Sequence, residues 1–158
     1  MAIHPVADSC GGIYNTIVPE PQIVIDTNVL VAGLRSRRGH AFRLLQLVST
    51  GRFTIHLSVP LVMEYESVLR RERPALSVPW SVIEAVLDYH CAVAHRHAIF
   101  FLWRPFLRDP KDDMVLELAV HAACDYIVTY NKRDFAGAEA AFNLKIVTPG
   151  EFLHVIGA

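Results

Sequence analysis

With 158 residues, 53% of them hydrophobic, the chain can bury one ordinary core, which excludes a disordered protein or a small disulfide-stapled scaffold. Fifteen basic side chains against sixteen acidic ones leave a net charge of -1, so no globally basic nucleic-acid binder is implied, and phosphate attraction has to come from local patches. Cys10, Cys91 and Cys124 form no CxxC pair and suit a reducing compartment. No apolar run reaches the roughly 18 residues of a membrane span, and the N-terminus shows no basic-then-apolar leader, so the expected location is the cytoplasm.

Residues 1–21 contain Gly11-Gly12, Pro5, Pro19 and Pro21 and show no periodicity. They read as a flexible N-terminal extension with at most one short strand near 13–18, and the domain proper is expected over 22–158. Ile23-Val24-Ile25 is a β-branched run that stops at Asp26-Thr27-Asn28, the pattern of a strand buried on both faces. Asn28 is suited to cap the helix that follows, through Val29 to about Leu34. A helix over 41–48 stops near Gly51, and a strand over 53–57 leads to Pro60 and a helix over 61–71. Pro74 and Pro79 break the chain before a helix over 80–94. A third strand is expected over 99–103. Asp109-Pro110-Lys111-Asp112-Asp113 reads as a turn opening a helix over 114–123. Strands over 126–129 and 144–147 follow, and Pro149 starts a short last helix. Strands alternating with helices imply an α/β fold, with a central, mostly parallel five-stranded sheet covered on both faces.

In open parallel sheets ligands bind beyond the carboxyl ends of the strands. Asp26 falls at such an end, as does Thr129-Tyr130-Asn131, and Asp113 falls in the first turn of a helix, where its charge suits the dipole. Carboxylates gathered on one rim repel: two charges about 4 Å apart interact by roughly 4 kcal/mol at an effective dielectric near 20. They raise each other's pKa values or recruit a cation, and an all-oxygen set selects Mg²⁺ or Mn²⁺ over zinc. Turn formation and helix capping explain the same aspartates equally well. On the helix over 61–71, Leu61, Val62, Tyr65, Val68 and Leu69 form the apolar stripe, and Glu64 and Glu66 flank its two edges, so the wheel does not choose between them. His90, His95 and His97 with Cys91 match no closed zinc spacing. Trp80 and Trp103 lie in apolar stretches and read as core.

These residues, taken together, resemble the PIN domain family. Ile23-Val24-Ile25-Asp26-Thr27-Asn28-Val29-Leu30 is similar to its opening strand and first acid, and Glu64-Tyr65, after Ser58-Val59-Pro60, to its second acidic position. Asp109-Pro110-Lys111-Asp112-Asp113, with Leu116-Glu117-Leu118-Ala119, resembles the third motif, and Val128-Thr129-Tyr130-Asn131-Lys132-Arg133-Asp134-Phe135 the fourth. The likeness covers about residues 22–154 and is greatest to the branch of toxins from toxin–antitoxin systems. It implies a three-layer α/β/α sandwich and a metal-dependent ribonuclease acting on single-stranded RNA. Asp26, Glu64 and Asp113 would be the catalytic metal ligands for Mg²⁺ or Mn²⁺, which selects Glu64 over Glu66. Many members carry an aspartate where this chain has Asn131, so Asn131 or Asp134 would complete the set. Thr27, Asn28 and Thr129 would orient the carboxylates. A cognate antitoxin and a homodimer are the partners implied.

Phosphate binding needs positive charge beside the acidic rim, and Arg35, Arg37, Arg38, Lys132 and Arg133 are the candidates for it, with Arg70, Arg71 and Arg73 as a further cluster. Two other readings stand beside the nuclease: a Mg²⁺-dependent phosphatase or phosphotransferase, and a catalytically silent RNA- or protein-binding module. A DxDxT sequence after the first strand would favour the phosphatase, and Asp26-Thr27-Asn28 lacks its second aspartate.

Overall fold

The computed structural model describes residues 18–99 and 105–158. The expected extension as far as residue 17, and the expected strand over 99–103 apart from Ile99, lie outside the described residues.

A β-branched run buried on both faces needs neighbours on both edges, and Gln22–Ile25 (β1) has them. It sits at the centre of a five-stranded sheet with Thr54–Ser58 (β2), His95–His97 (β3), Tyr126–Val128 (β4) and Lys145–Val147 (β5), in the order β3-β2-β1-β4-β5. Every pairing is parallel, with Ile23 opposite Ile55 on one side and Val24 opposite Ile127 on the other. Among the described residues seven helices flank the sheet: Thr27–Arg35 (α1), His40–Gln46 (α2), Val59–Glu72 (α3), Trp80–Val93 (α4), Pro110–His121 (α5), Ala138–Phe142 (α6) and Pro149–Val155 (α7). The α/β/α layering expected from the sequence is the one observed.

Three boundaries differ from the sequence reading. The third strand is His95-Arg96-His97, a polar edge strand that an apolar-run criterion does not detect. Asp109 caps α5 by accepting from the Lys111 N–H at 2.9 Å, so Pro110 to Asp113 form the helix's first turn instead of a loop before it. Asp26 is the cap of α1, and Asn28 lies one residue inside the helix. Between β4 and β5 the chain adds a 3-10 turn, Lys132–Phe135, and α6, joined through Gly137 at φ +87°, where a left-handed residue is required.

The core runs along both faces of β1, where Ile23, Val24 and Ile25 are at most 2% exposed. Among the polar side chains buried beside it is His56 on β2. His56 Nε2 donates to Gln22 Oε1 at 2.7 Å, and its Nδ1 lies 2.7 Å from His97 Nε2, so the neutral ring accepts from His97. Burial, reinforced by His97 and His95, pushes the His56 imidazole down to about 4. Trp80 packs against the core as expected, with the Arg70 guanidinium 4.4 Å over its ring. Trp103 lies outside the described residues. Among the described residues no helix is long and apolar enough to cross a membrane.

Candidate active site

The chain runs from β1 to β2 and β3 on one side, then returns to place β4 on the other side of β1. This reversal splays the segments leaving β1 and β4 apart and opens a crevice at their carboxyl ends. A cleft of about 450 Å³ lies there, lined by Asp26, Thr27 and Asn28 after β1, Asn131 and Asp134 after β4, Glu64, Arg71 and Glu72 on α3, and Asp109, Lys111 and Asp112 at the start of α5.

Asp26 is 7% exposed and the most constrained of these groups. Its Oδ1 accepts from the Thr27 N–H at 2.7 Å, and its Oδ2 accepts from Thr129 Oγ1 at 2.7 Å and Asn28 Nδ2 at 2.8 Å. Thr129 Oγ1 also accepts from the Asn131 N–H at 3.0 Å, and Asn28 Oδ1 accepts from the Tyr130 N–H at 3.2 Å. The two loops at the switch point are therefore stitched together through the polar atoms of three side chains. The Tyr65 hydroxyl on α3 donates to the Ile25 carbonyl, which fixes the end of β1 just before Asp26. Burial raises the Asp26 carboxyl above its usual range and the Asp134 charge adds to that, while bonds from Thr129, Thr27 and Asn28 act in the opposite direction.

Across the cleft, the structure separates two aspartates that the sequence left equivalent. Asp113, expected to be a catalytic metal ligand, is buried and is not among the residues lining the cleft, and its Oδ1 accepts from the Phe106 N–H at 3.1 Å and the Leu107 N–H at 2.8 Å. It holds the incoming loop to α5. Asp112 lines the cleft instead, and its carboxyl is pushed up to about 6, by burial first and then by the charges of Asp26, Asp134, Asp109 and Asp113. Sequence reasoning missed Asp112 because positions 112 and 113 both border α5's buried residues, Val115, Leu116, Leu118 and Ala119, and the helical wheel cannot say which carboxylate meets loop amides.

Glu64 lines the cleft, whereas Glu66 pairs with Arg70 at 2.6 Å on the outer face of α3, so the geometry separates the two glutamates. Glu64 Oε1 is 3.0 Å from Lys111 Nζ. Asn131 and Asp134 both reach the cleft. Of the residues expected to bind phosphate, Arg35 is a lining residue and pairs with Glu72 at 3.1 Å. Arg37 and Arg38 are exposed beyond the end of α1, and Arg133 is exposed beside Lys132, which is tied to Glu151 at 3.1 Å. Arg71, also near Glu72 at 3.8 Å, is the basic lining residue on α3. Arg35 and Arg71 on Glu72 and Lys111 on Glu64 account for the lining cations, so among the described residues Asp26, Asp112 and Asp134 have no ion-pair partner.

The donor set is carboxylate and amide oxygen, and burial, followed by repulsion from its acidic neighbours, drives Asp112 toward its neutral form. Hard oxygen donors with excess negative charge fit a divalent cation such as Mg²⁺ or Mn²⁺. His90, His95, His97 and Cys91 do not converge: His90 Nδ1 donates to the Val86 carbonyl at 2.7 Å and His97 faces His56. Among the described residues no three His, Cys, Asp or Glu side chains already stand in ligating geometry.

No curated protein matches the chain. The profile of the PIN domain family matches residues 22–133, which takes in Asp26, Glu64, the start of α5 and Asn131 and stops one residue short of Asp134. PIN domains are generally nucleases, and this match over most of the chain, on a five-stranded parallel sheet with acids at its switch point, places the protein in the PIN domain family.

Proposed function

We propose that the protein is a divalent-metal-dependent endoribonuclease for single-stranded RNA and the toxin of a toxin–antitoxin pair. The observation that carries the reading is the placing of Asp26, Asp112 and Asp134, from three separate segments, on one cleft whose lining cations are all committed elsewhere. Asp26, Asp112 and Asp134 would hold Mg²⁺ or Mn²⁺, with Glu64 and the Asn131 amide oxygen completing the set. The bound ion would supply a water of lowered pKa and neutralise charge growing on the phosphate. Thr129, Thr27 and Asn28 keep both Asp26 oxygens oriented, so this ligand pays little reorganisation on loading. Arg35 and Arg71, on the cleft wall, would meet the RNA phosphates, and Arg37, Arg38, Lys132 and Arg133 would extend that contact along the strand. Hydrolysis would leave a 5′-phosphate and a 3′-hydroxyl.

The toxin role, the cognate antitoxin occupying the cleft and a homodimeric assembly follow from the family likeness of the motifs. The test is incubation of the purified protein with fluorescently labelled single-stranded RNA in Mn²⁺ or in EDTA. Cleavage in Mn²⁺ alone, lost in Asp26→Asn and Asp112→Asn, is the expected result; cleavage in EDTA, or full activity in Asp26→Asn, overturns the reading. Growth arrest of a bacterial host on induction, relieved by Asp26→Asn, tests the toxin role.

A further inference from the structure

Lys111 is an odd residue for its place. It is the second residue of α5, where the helix dipole disfavours a cation, while Asp112 and Asp113 beside it suit the dipole. Its ammonium reaches across to α3 and meets Glu64 Oε1 at 3.0 Å. The two partners differ in burial: the Lys111 side chain is 56% exposed, the Glu64 side chain 17%. A carboxylate buried to that degree needs a counter-charge, whereas a lysine that exposed can leave on its flexible stem at little cost. Arg35 and Arg71 both engage Glu72, so among the described lining cations Lys111 is the one that rests on a candidate metal ligand.

We propose that Lys111 is an internal counterion that neutralises Glu64 in the metal-free cleft and has to be displaced before Glu64 can ligate a divalent cation. The proposal rests on the metal-dependent reading above. It sets Glu64 apart from Asp26: Asp26 is held by neutral donors from Thr27, Asn28 and Thr129, whereas Glu64 is held by Lys111 in an exposed ion pair. Lys111 thus sets metal affinity by competition, and its role is positional.

The test is calorimetric titration of Mn²⁺ into the wild-type chain, Lys111→Met, Lys111→Arg, Glu64→Gln and the Lys111→Met/Glu64→Gln double variant, with the melting temperature of each recorded in EDTA. Exposed ion pairs are worth little, so Lys111→Met should bind Mn²⁺ about three- to fivefold more tightly than the wild type. Lys111→Arg, which keeps the cation, should stay within about twofold of the wild type and guards against a folding defect. In the Glu64→Gln background Lys111→Met should change the affinity by less than about twofold, since the competed-for ligand is gone. Equal affinities for wild type and Lys111→Met, or a gain that persists undiminished in Glu64→Gln, overturn the counterion and leave the metal reading intact. Binding by Lys111→Met where the wild type shows none supports it. If neither binds Mn²⁺, the counterion and the metal reading fall together.

Discussion

The two walls of the cleft are built on opposite principles. On the β1–β4 side, Asp26 is buried and each of its oxygens is bonded to a neutral donor, in a network closed by Thr129 and Asn28. On the α3–α5 side, Glu64 and Glu72 are held by long, exposed cations that solvent can replace. The first wall stores negative charge in a fixed position; the second balances it with groups free to exchange partners. Neutral donors fix geometry without cancelling charge, whereas ion pairs cancel charge without fixing much geometry. On the proposed reading, a cleft that holds a cation and then releases a product would gain from having one wall of each kind.

The contrast can be broken where the effect should be largest. Asp26→Asn keeps the size of the side chain but removes the fixed charge and turns one acceptor oxygen into a donor, and RNA cleavage in Mn²⁺ should fall about 10³-fold, with the fold intact by circular dichroism. Asp112 and Asp113 should then part company. Asp112→Asn relieves repulsion, so it should melt at or above the wild-type temperature while losing about 10²-fold in cleavage. Asp113→Ala strands the Phe106 and Leu107 N–H groups and should cost about 2 kcal/mol in urea unfolding, with any activity loss following from that. Reversed phenotypes would mean that the two side chains had been assigned to the wrong partners.

A smaller effect is expected from pH. The neutral His56 ring is held well below its ordinary 6.5, at about 4, so the unfolded chain takes up a proton the folded one refuses. Stability is therefore full above about pH 6.5 and declines as pH falls toward 4. Allowing for screening, the loss should be about 1–2 kcal/mol, or roughly 2–8 °C in melting temperature, and His56→Gln should flatten it. Glu66→Ala, which removes an exposed helical pair on the far side of α3, should shift stability by about 0.5 kcal/mol or less. A larger change there would undo the claim that exposed pairs contribute little in this molecule.

Much of this was legible from the chain alone where local chemistry decides. Ile23-Val24-Ile25 followed by Asp26 announces a buried strand that ends in an acid, and the alternation of strands and helices gives the layers. Legibility stops where a distant segment decides. Asp112 and Asp113 differ only because residues 106 and 107 return beside α5 with two donors to satisfy. The edge strand His95–His97 pairs through its backbone and carries no apolar signature. Asp26 caps α1 because burial on the rim leaves its carboxylate facing the helix's first amide, a contact that Asn28 gives up for Thr129 and Tyr130 across the sheet.

The central place of β1 also sets an order of assembly during synthesis. During synthesis β2, some thirty residues after β1, is available to pair with it well before β4, whose partner positions lie about a hundred residues after β1. The hydroxyl that anchors Asp26 and the amide of Asn131 arrive with that last segment. A nascent or truncated chain that ends before Thr129 contains the first acid without the group that aims it. On the proposed reading, cleavage would therefore wait until β4 and Thr129 have been made, a delay that comes from strand order.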